Sequence, residues 1–210
     1  MNIALYGTTG RIGRRILNEA LSRGHHLIAI TRDASTAHSE NSNIEFRTGD
    51  VLKPESVAAA TGGADVVVSA YGPGAGDADQ ITVAARSLVE GLAANQPMRL
   101  LVVGGAGSLE VSPGLELLDT PEFPPAHKKA ARAHRNALAI LAKCPFNWTC
   151  VSPSADIKEG IRTGSYRIGT SQLLFDEYGT SRISMEDFAV AIVDEVERPR
   201  FSRMRFTVGY

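Results

Sequence analysis

The sequence predicts an α/β protein with a doubly wound parallel sheet and a small C-terminal extension on the substrate side. Three observations carry this. Short aliphatic runs alternate with amphipathic helical stretches along the chain. Several of those runs are apolar at almost every position, as strands covered on both faces must be. The first run, Ile3-Ala4-Leu5-Tyr6, stops at a turn holding Gly7, Gly10 and Gly13, and a helical pattern begins at once.

That turn follows the spacing G-x-x-G-x-x-G. Its first glycine allows backbone torsions that a Cβ forbids. The helix behind it aims unpaired N–H groups and a partial positive charge at the turn, a setting suited to a pyrophosphate. The third glycine lets helix and strand pack closely. Gly7, Thr9, Gly10, Arg11, Ile12 and Gly13 are therefore candidate dinucleotide contacts, while a turn that binds nothing is the plain alternative. The helix buries Ile12, Ile16, Leu17, Ala20 and Leu21 and closes at Gly24.

His26–Thr31 is the second strand, joined to the first by a right-handed crossover. Its end meets an adenosine ribose in such folds, where an acidic residue suits NAD and a basic one NADP. Thr31-Arg32-Asp33 offers both. Arg32 comes first and pairs bidentately with phosphate, which favours NADP(H). Asp33 could serve NAD instead, and Arg32 could be a solvated loop charge. Residues 34–43 read as loop and Ile44–Thr48 as a third strand. Asp50, after Gly49, suits a cap for the next turn. Pro54–Ala60 is a short helix with proline in its first turn.

Residues 64–70 form a central, nearly all-apolar strand. It ends at Tyr71-Gly72-Pro73-Gly74, where ligands bind in open α/β sheets. Gly74 and Gly76 suggest a mobile rim. Residues 81–94 form a long helix whose stripe is Ile81, Ala84, Ala85, Leu88, Val89 and Leu92. The fifth strand, Arg99–Val103, breaks into Gly104-Gly105-Ala106-Gly107-Ser108. The sixth, 147–151, ends in Ser152-Pro153-Ser154. A small hairpin is expected between Gly160 and Gly169. Ser184 caps a helix reaching Val196, and Arg205–Val208 is a last strand.

The chain has 210 residues, which suits one domain. Residues 154–210 are too few for a second domain and are expected to cover the crevice as a lid. A net charge of −1 gives no hint of nucleic acid or an anionic membrane as partner. No apolar run is long enough for a bilayer span. Met1 leads straight into a strand, so no signal peptide is expected. Cys144 and Cys150 are not spaced as a redox or metal pair, which fits reduced thiols in the cytoplasm and no metal.

The glycine spacing resembles that of the extended and atypical short-chain dehydrogenase/reductases. Gly7-Thr8-Thr9-Gly10-Arg11-Ile12-Gly13 is similar to the opening of the NmrA-like group, which includes small NADH-flavin reductases and biliverdin-IX-beta/flavin reductases. The resemblance covers nearly the whole chain and implies a Rossmann fold. It implies that Asp50 and Val51 lie beside the adenine, with the carboxylate on its exocyclic amine. Ala70, Tyr71 and Gly72 would run beside the ribose and phosphates, and Gly104 would line the same crevice. Val151, Ser152 and Pro153 would hold the nicotinamide amide through backbone atoms.

Typical short-chain reductases also carry a serine on the substrate carbonyl and a Tyr-x-x-x-Lys proton relay. Ser108 matches the serine, with a turn hydroxyl as the alternative reading. The relay is missing. His127 stands near where the resemblance leads one to expect the tyrosine, and Ala131 stands four residues later in place of the lysine. His127 could act as a general acid, with Lys128 orienting substrate, or both could be solvated residues of a helix start. His134, further along, reads as structural or exposed. Lacking the relay, the chain suits an NAD(P)H-dependent hydride transfer to a flavin, quinone or similar conjugated acceptor, where cofactor and acceptor need only stack in register. A non-catalytic NADP(H) sensor of the NmrA-like type fits the same loss. A sugar-type epimerase is opposed by the missing tyrosine and the small C-terminal region. The expected partner is a small-molecule acceptor, and the expected assembly a monomer or homodimer.

Overall fold

The computed structural model describes residues 1–35, 37–94 and 98–210. In chain order, β1 (Asn2–Tyr6), α1 (Arg11–Ser22), β2 (His26–Thr31), β3 (Ile44–Thr48), α2 (Pro54–Ala60), β4 (Val66–Ser69), α3 (Gln80–Ala93) and β5 (Arg99–Val103) make the first part. Next come β6 (Glu110–Ser112), β7 (Leu115–Glu116), α4 (Lys128–Leu141) and β8 (Trp148–Ser152). Last are β9 (Asp156–Lys158), β10 (Arg167–Gly169), β11 (Arg182–Ser184), α5 (Met185–Glu197) and β12 (Met204–Gly209). Eight strands form one sheet in the order β10-β12-β8-β5-β4-β1-β2-β3, parallel throughout except for β10. Sequence and structure agree on a doubly wound parallel sheet.

The period-two alternation of strand side chains divides the core. On β1, Ile3 and Leu5 join α1 and α5 through Ile16, Ala20, Phe188 and Ile192. Ala4 and Tyr6 face the other way, onto Val57 of α2, Leu88 and Leu92 of α3 and Leu141 of α4. The crossover leaving β1 therefore goes to one face, and the one leaving β4 goes to the other.

The segment before β10 forms no local hairpin. β10 pairs instead with β12, antiparallel, at the sheet edge. The cause lies at the start of α5. Ser184 Oγ accepts the Asp187 N–H at 2.9 Å, as a cap should. The Asp187 carboxylate is fully buried and accepts from Thr163 N at 2.9 Å, Thr163 Oγ1 at 2.6 Å, Gly164 N at 2.7 Å and Tyr210 OH at 2.6 Å. These bonds pull residues 163–164 onto the helix and away from a hairpin. A short hairpin forms elsewhere, between β6 and β7. Of residues 154–210, β12 is built into the sheet and α5 packs on α1.

Burial alone would raise the Asp187 carboxyl, but hydrogen bonds from Thr163, Tyr210 and Gly164 outweigh it and hold it below the usual carboxylate range. A depressed carboxyl stabilises the fold above its unfolded pKa of about 4, and the gain is lost as pH falls through the folded value. Asp187→Asn should cost about 2 kcal/mol at neutral pH. The difference in melting temperature between wild type and variant should shrink below about pH 4. Thermal melts from pH 7 to pH 3 check this, and a pH-independent difference would disprove it.

A second buried ionic contact ties α5 to the sheet. Arg99 of β5 donates to the fully buried Glu195 carboxylate and, at 2.8 Å, to the Glu195 carbonyl. The same carboxylate accepts the N–H groups of Arg200 at 3.1 Å and Phe201 at 3.0 Å.

Candidate functional site

β1 and β4 are neighbours whose helices depart to opposite faces, so a crevice opens beyond their carboxyl ends. Gly7 takes φ +82°, and a Cβ on it would lie 2.4 Å from the Ala70 carbonyl oxygen. A Cβ on Gly13 would lie 2.0 Å from the Gly7 oxygen. Gly7 and Gly13 thus fix how closely β1, β4 and α1 meet. Gly10 N donates to Gly7 O at 3.0 Å and closes the turn. α1 starts at Arg11 with no side-chain cap and no acidic residue in its first turn. Its N-terminus is free to receive an anion, and Thr9, Gly10 and Arg11 are exposed around it. The cradle fits a dinucleotide pyrophosphate.

Further along the crevice, Arg32 is exposed and has no ion-pair partner among the described residues. Asp33 is turned back on its own loop, accepting Ser35 N at 2.9 Å and Ser35 Oγ at 2.6 Å. Those bonds hold its carboxyl below the usual range. Asp50 caps its turn by accepting Leu52 N at 3.0 Å, and Val51 is buried beside it. Tyr71, half-buried after Ala70 and before the exposed Gly72, donates to Gln80 at 2.8 Å. Val151 and Ser152 are buried. Ser152 Oγ would stand 3.2 Å from a Cβ on Gly104, with Cys150 Sγ at 2.7 Å. The Val151 carbonyl accepts Gly104 N at 2.9 Å, and the main chain of Val151 and Ser152 pairs within the sheet. Cys144 and Cys150 are free and buried, and burial pushes the Cys150 thiol up to about 12.

Beside the crevice lies a cavity of about 430 Å3. Its walls include Gly105, Leu117, Phe123, Pro124, His127 and His134. The structure brings His127 to its lining, exposed, with its backbone N–H on the Pro124 carbonyl at 3.0 Å. Ser108 is not in the lining. It is 6 % exposed, and Arg205 donates to its carbonyl at 2.8 Å and its Oγ at 3.0 Å. Lys128 also lies outside the lining, half-buried at the first position of α4. Ser108, His127 and Lys128 are thus not gathered at one point.

The residue that sequence reasoning passed over is His134. It sits on α4, seven residues after His127, which caps that helix; both line the cavity, and His134 lies over Gly105. Burial pushes its imidazole down to about 4, so it is neutral at physiological pH. The available signal was its seven-residue spacing from His127 across the small residues Ala130 and Ala131.

No helix among the described residues is long and apolar enough to cross a membrane. The model of a family described as NAD(P)H-binding matches residues 7–196. A crystal structure of a candidate exported protein from Burkholderia pseudomallei is 45 % identical, covers 100 % of both chains and superposes with a TM-score of 0.91. A candidate epimerase from Bacteroides thetaiotaomicron is 37 % identical, with 100 % of this chain and 96 % of that one covered and a TM-score of 0.92. A candidate NADH-flavin reductase from Streptococcus pneumoniae is 33 % identical, with 100 % and 99 % covered and a TM-score of 0.87. The three names differ. The chain belongs to the NAD(P)H-binding family.

Proposed function

We propose that this protein is an NADPH-dependent reductase that passes hydride to a flavin, quinone or similar conjugated acceptor. The observation that carries this is the largely apolar cavity at the carboxyl end of β5, beside the crevice and without a tyrosine among its described lining residues. Such a space suits a flat ring, and hydride transfer to a conjugated ring needs stacking more than a tyrosine–lysine relay. The name of the Streptococcus pneumoniae protein points the same way. For an epimerase, the tyrosine normally central to short-chain chemistry would have to be replaced.

In this reading Gly7, Thr9, Gly10, Arg11, Ile12 and Gly13 hold the pyrophosphate, and Arg32 pairs with the 2′-phosphate. Asp50 and Val51 flank the adenine. Ala70, Tyr71 and Gly72 border the ribose and phosphates, Gly104 lines the crevice, and the main chain of Val151, Ser152 and Pro153 holds the amide. The reduced nicotinamide supplies the hydride. His127 in the cavity lining relays a proton from solvent to the reduced acceptor, with Lys128 beside it. Ser108 steadies the floor through Arg205. The protein works as a monomer or homodimer in the cytoplasm.

The test is NADPH consumption at about 340 nm, the nicotinamide absorption, with flavins and small quinones offered in turn. Turnover that requires an acceptor is expected. Tight cofactor binding with no turnover on any of them would replace this reading by a cofactor sensor. In the same assay, Arg32→Ala should lower the NADPH/NADH ratio of kcat/KM by roughly tenfold or more, the loss of one charge-assisted phosphate contact. An unchanged ratio would remove Arg32 from the site.

A further inference from the structure

We propose that the acceptor is an uncharged ring compound whose carbonyl or ring-nitrogen edge hydrogen-bonds to His134, and that Glu122 and Asp156 exclude acceptors bearing phosphate, sulfonate or carboxylate. The inference rests on the reductase reading and narrows it.

The imidazole lies against the main chain of Gly105. A Cβ there would stand 3.1 Å from its Cγ and Cδ2. Gly105 follows β5, so the ring is held at the end of the sheet where ligands bind. Among the described residues His134 has no hydrogen-bond partner, and its open side faces the cavity. A neutral imidazole offers one donor and one acceptor nitrogen. Neither ring nitrogen of the half-buried His134 is sealed from water, so a flat ring that covers them must make those bonds itself or leave them unmade at a cost. A carbonyl takes the donor, and a ring N–H meets the acceptor.

The rest of the lining sets the shape and charge of the ligand. Leu117, Phe123, Pro124 and Ala131 present apolar surface suited to a flat ring. The volume, about 430 Å3, lies within the range of roughly 300–1,000 Å3 that takes a drug-sized compound. Glu122 and Asp156 add carboxylates, and no lysine or arginine is among the described lining residues. Asp156 pairs with Lys158 at 2.8 Å, but Lys158 is 76 % exposed and solvent screens the pair. Glu122 has no ion-pair partner among the described residues. An anionic substituent would meet like charge and find no cation to pair with.

Matched acceptors decide this: riboflavin against FMN, and 1,4-naphthoquinone against its 2-sulfonate, at low salt with saturating NADPH. The uncharged member of each pair should have a kcat/KM at least about tenfold higher. Glu122→Gln/Asp156→Asn should bring the ratio towards one. His134→Phe should raise KM for both uncharged acceptors by about tenfold or more, whereas His134→Gln, which keeps a donor and an acceptor, should recover most of the loss. The dissociation constant for NADPH, measured on every variant, reports whether the fold is intact. Equal use of both members, or a preference for the anion, would overturn the proposal. Quenching of riboflavin fluorescence reads the site without turnover. Binding that FMN does not share and His134→Phe weakens would uphold the site even if no acceptor were reduced, and only the reductase reading would then fall. Neither turnover nor binding would reject both.

Discussion

Gly13→Ala is expected to raise the NADPH dissociation constant by at least roughly 100-fold and to cost about 3 kcal/mol of stability. The new methyl would sit 2.0 Å from the Gly7 carbonyl oxygen, well inside contact distance. Neither side can yield cheaply. Gly7 is itself wedged against Ala70, where even a Cβ would stand 2.4 Å from a carbonyl oxygen. α1 must therefore lift from β1, and the first-turn N–H groups leave the anion they serve. Gly10→Ala is the comparison, because its Cβ would meet only the Gly7 oxygen, at 3.2 Å. It should fold nearly as well as wild type. Thermal melts and a fluorescence titration with NADPH check both variants. A Gly13→Ala protein that melts and binds like wild type would mean that the cradle is looser than described.

Glu195→Ala is expected to cost about 3–5 kcal/mol, the usual penalty for stranding one half of a buried ion pair. Arg99 would keep its buried charge with only carbonyl and hydroxyl oxygens to face it, and the N–H groups of Arg200 and Phe201 would lose their acceptor. The pair is not ideally satisfied as it stands, since Arg99 Nε is buried without a partner among the described residues. Replacing both residues by methionine should therefore regain much of the loss, the apolar contact standing in for the ionic one. Urea unfolding of the single and double variants measures this. A single variant within about 1 kcal/mol of wild type would show the pair to be solvated.

The sheet was legible because its signals are local. Apolar runs such as Ile28-Ala29-Ile30 and Val66-Val67-Val68 mark strands covered on both faces, and the glycine turn after Tyr6 marks the start of the first crossover. The pairing of β10 with β12 was not legible. It depends on Asp187 gathering Thr163, Gly164 and Tyr210 from distant parts of the chain, and periodicity carries no record of such bonds. The same limit applies to the cavity. Ser108 and His127 could be picked out by resemblance, but the engagement of Ser108 by Arg205 joins residues almost a hundred positions apart. His134 reads as an ordinary helix residue until Gly105 is seen beneath it.

The rim of the crevice is fastened to α4 by Lys129, which reaches Asp77 at 2.7 Å and Asp79 at 3.4 Å. All three side chains are more than half exposed. Such contacts contribute about 1 kcal/mol or less each and weaken as salt rises. The fastening can therefore break and re-form many times without disturbing the sheet below. On the reading proposed above, a spent dinucleotide would leave by a local opening of residues 72–79, with the ionic strength of the surroundings a throttle on how fast one cofactor is exchanged for the next.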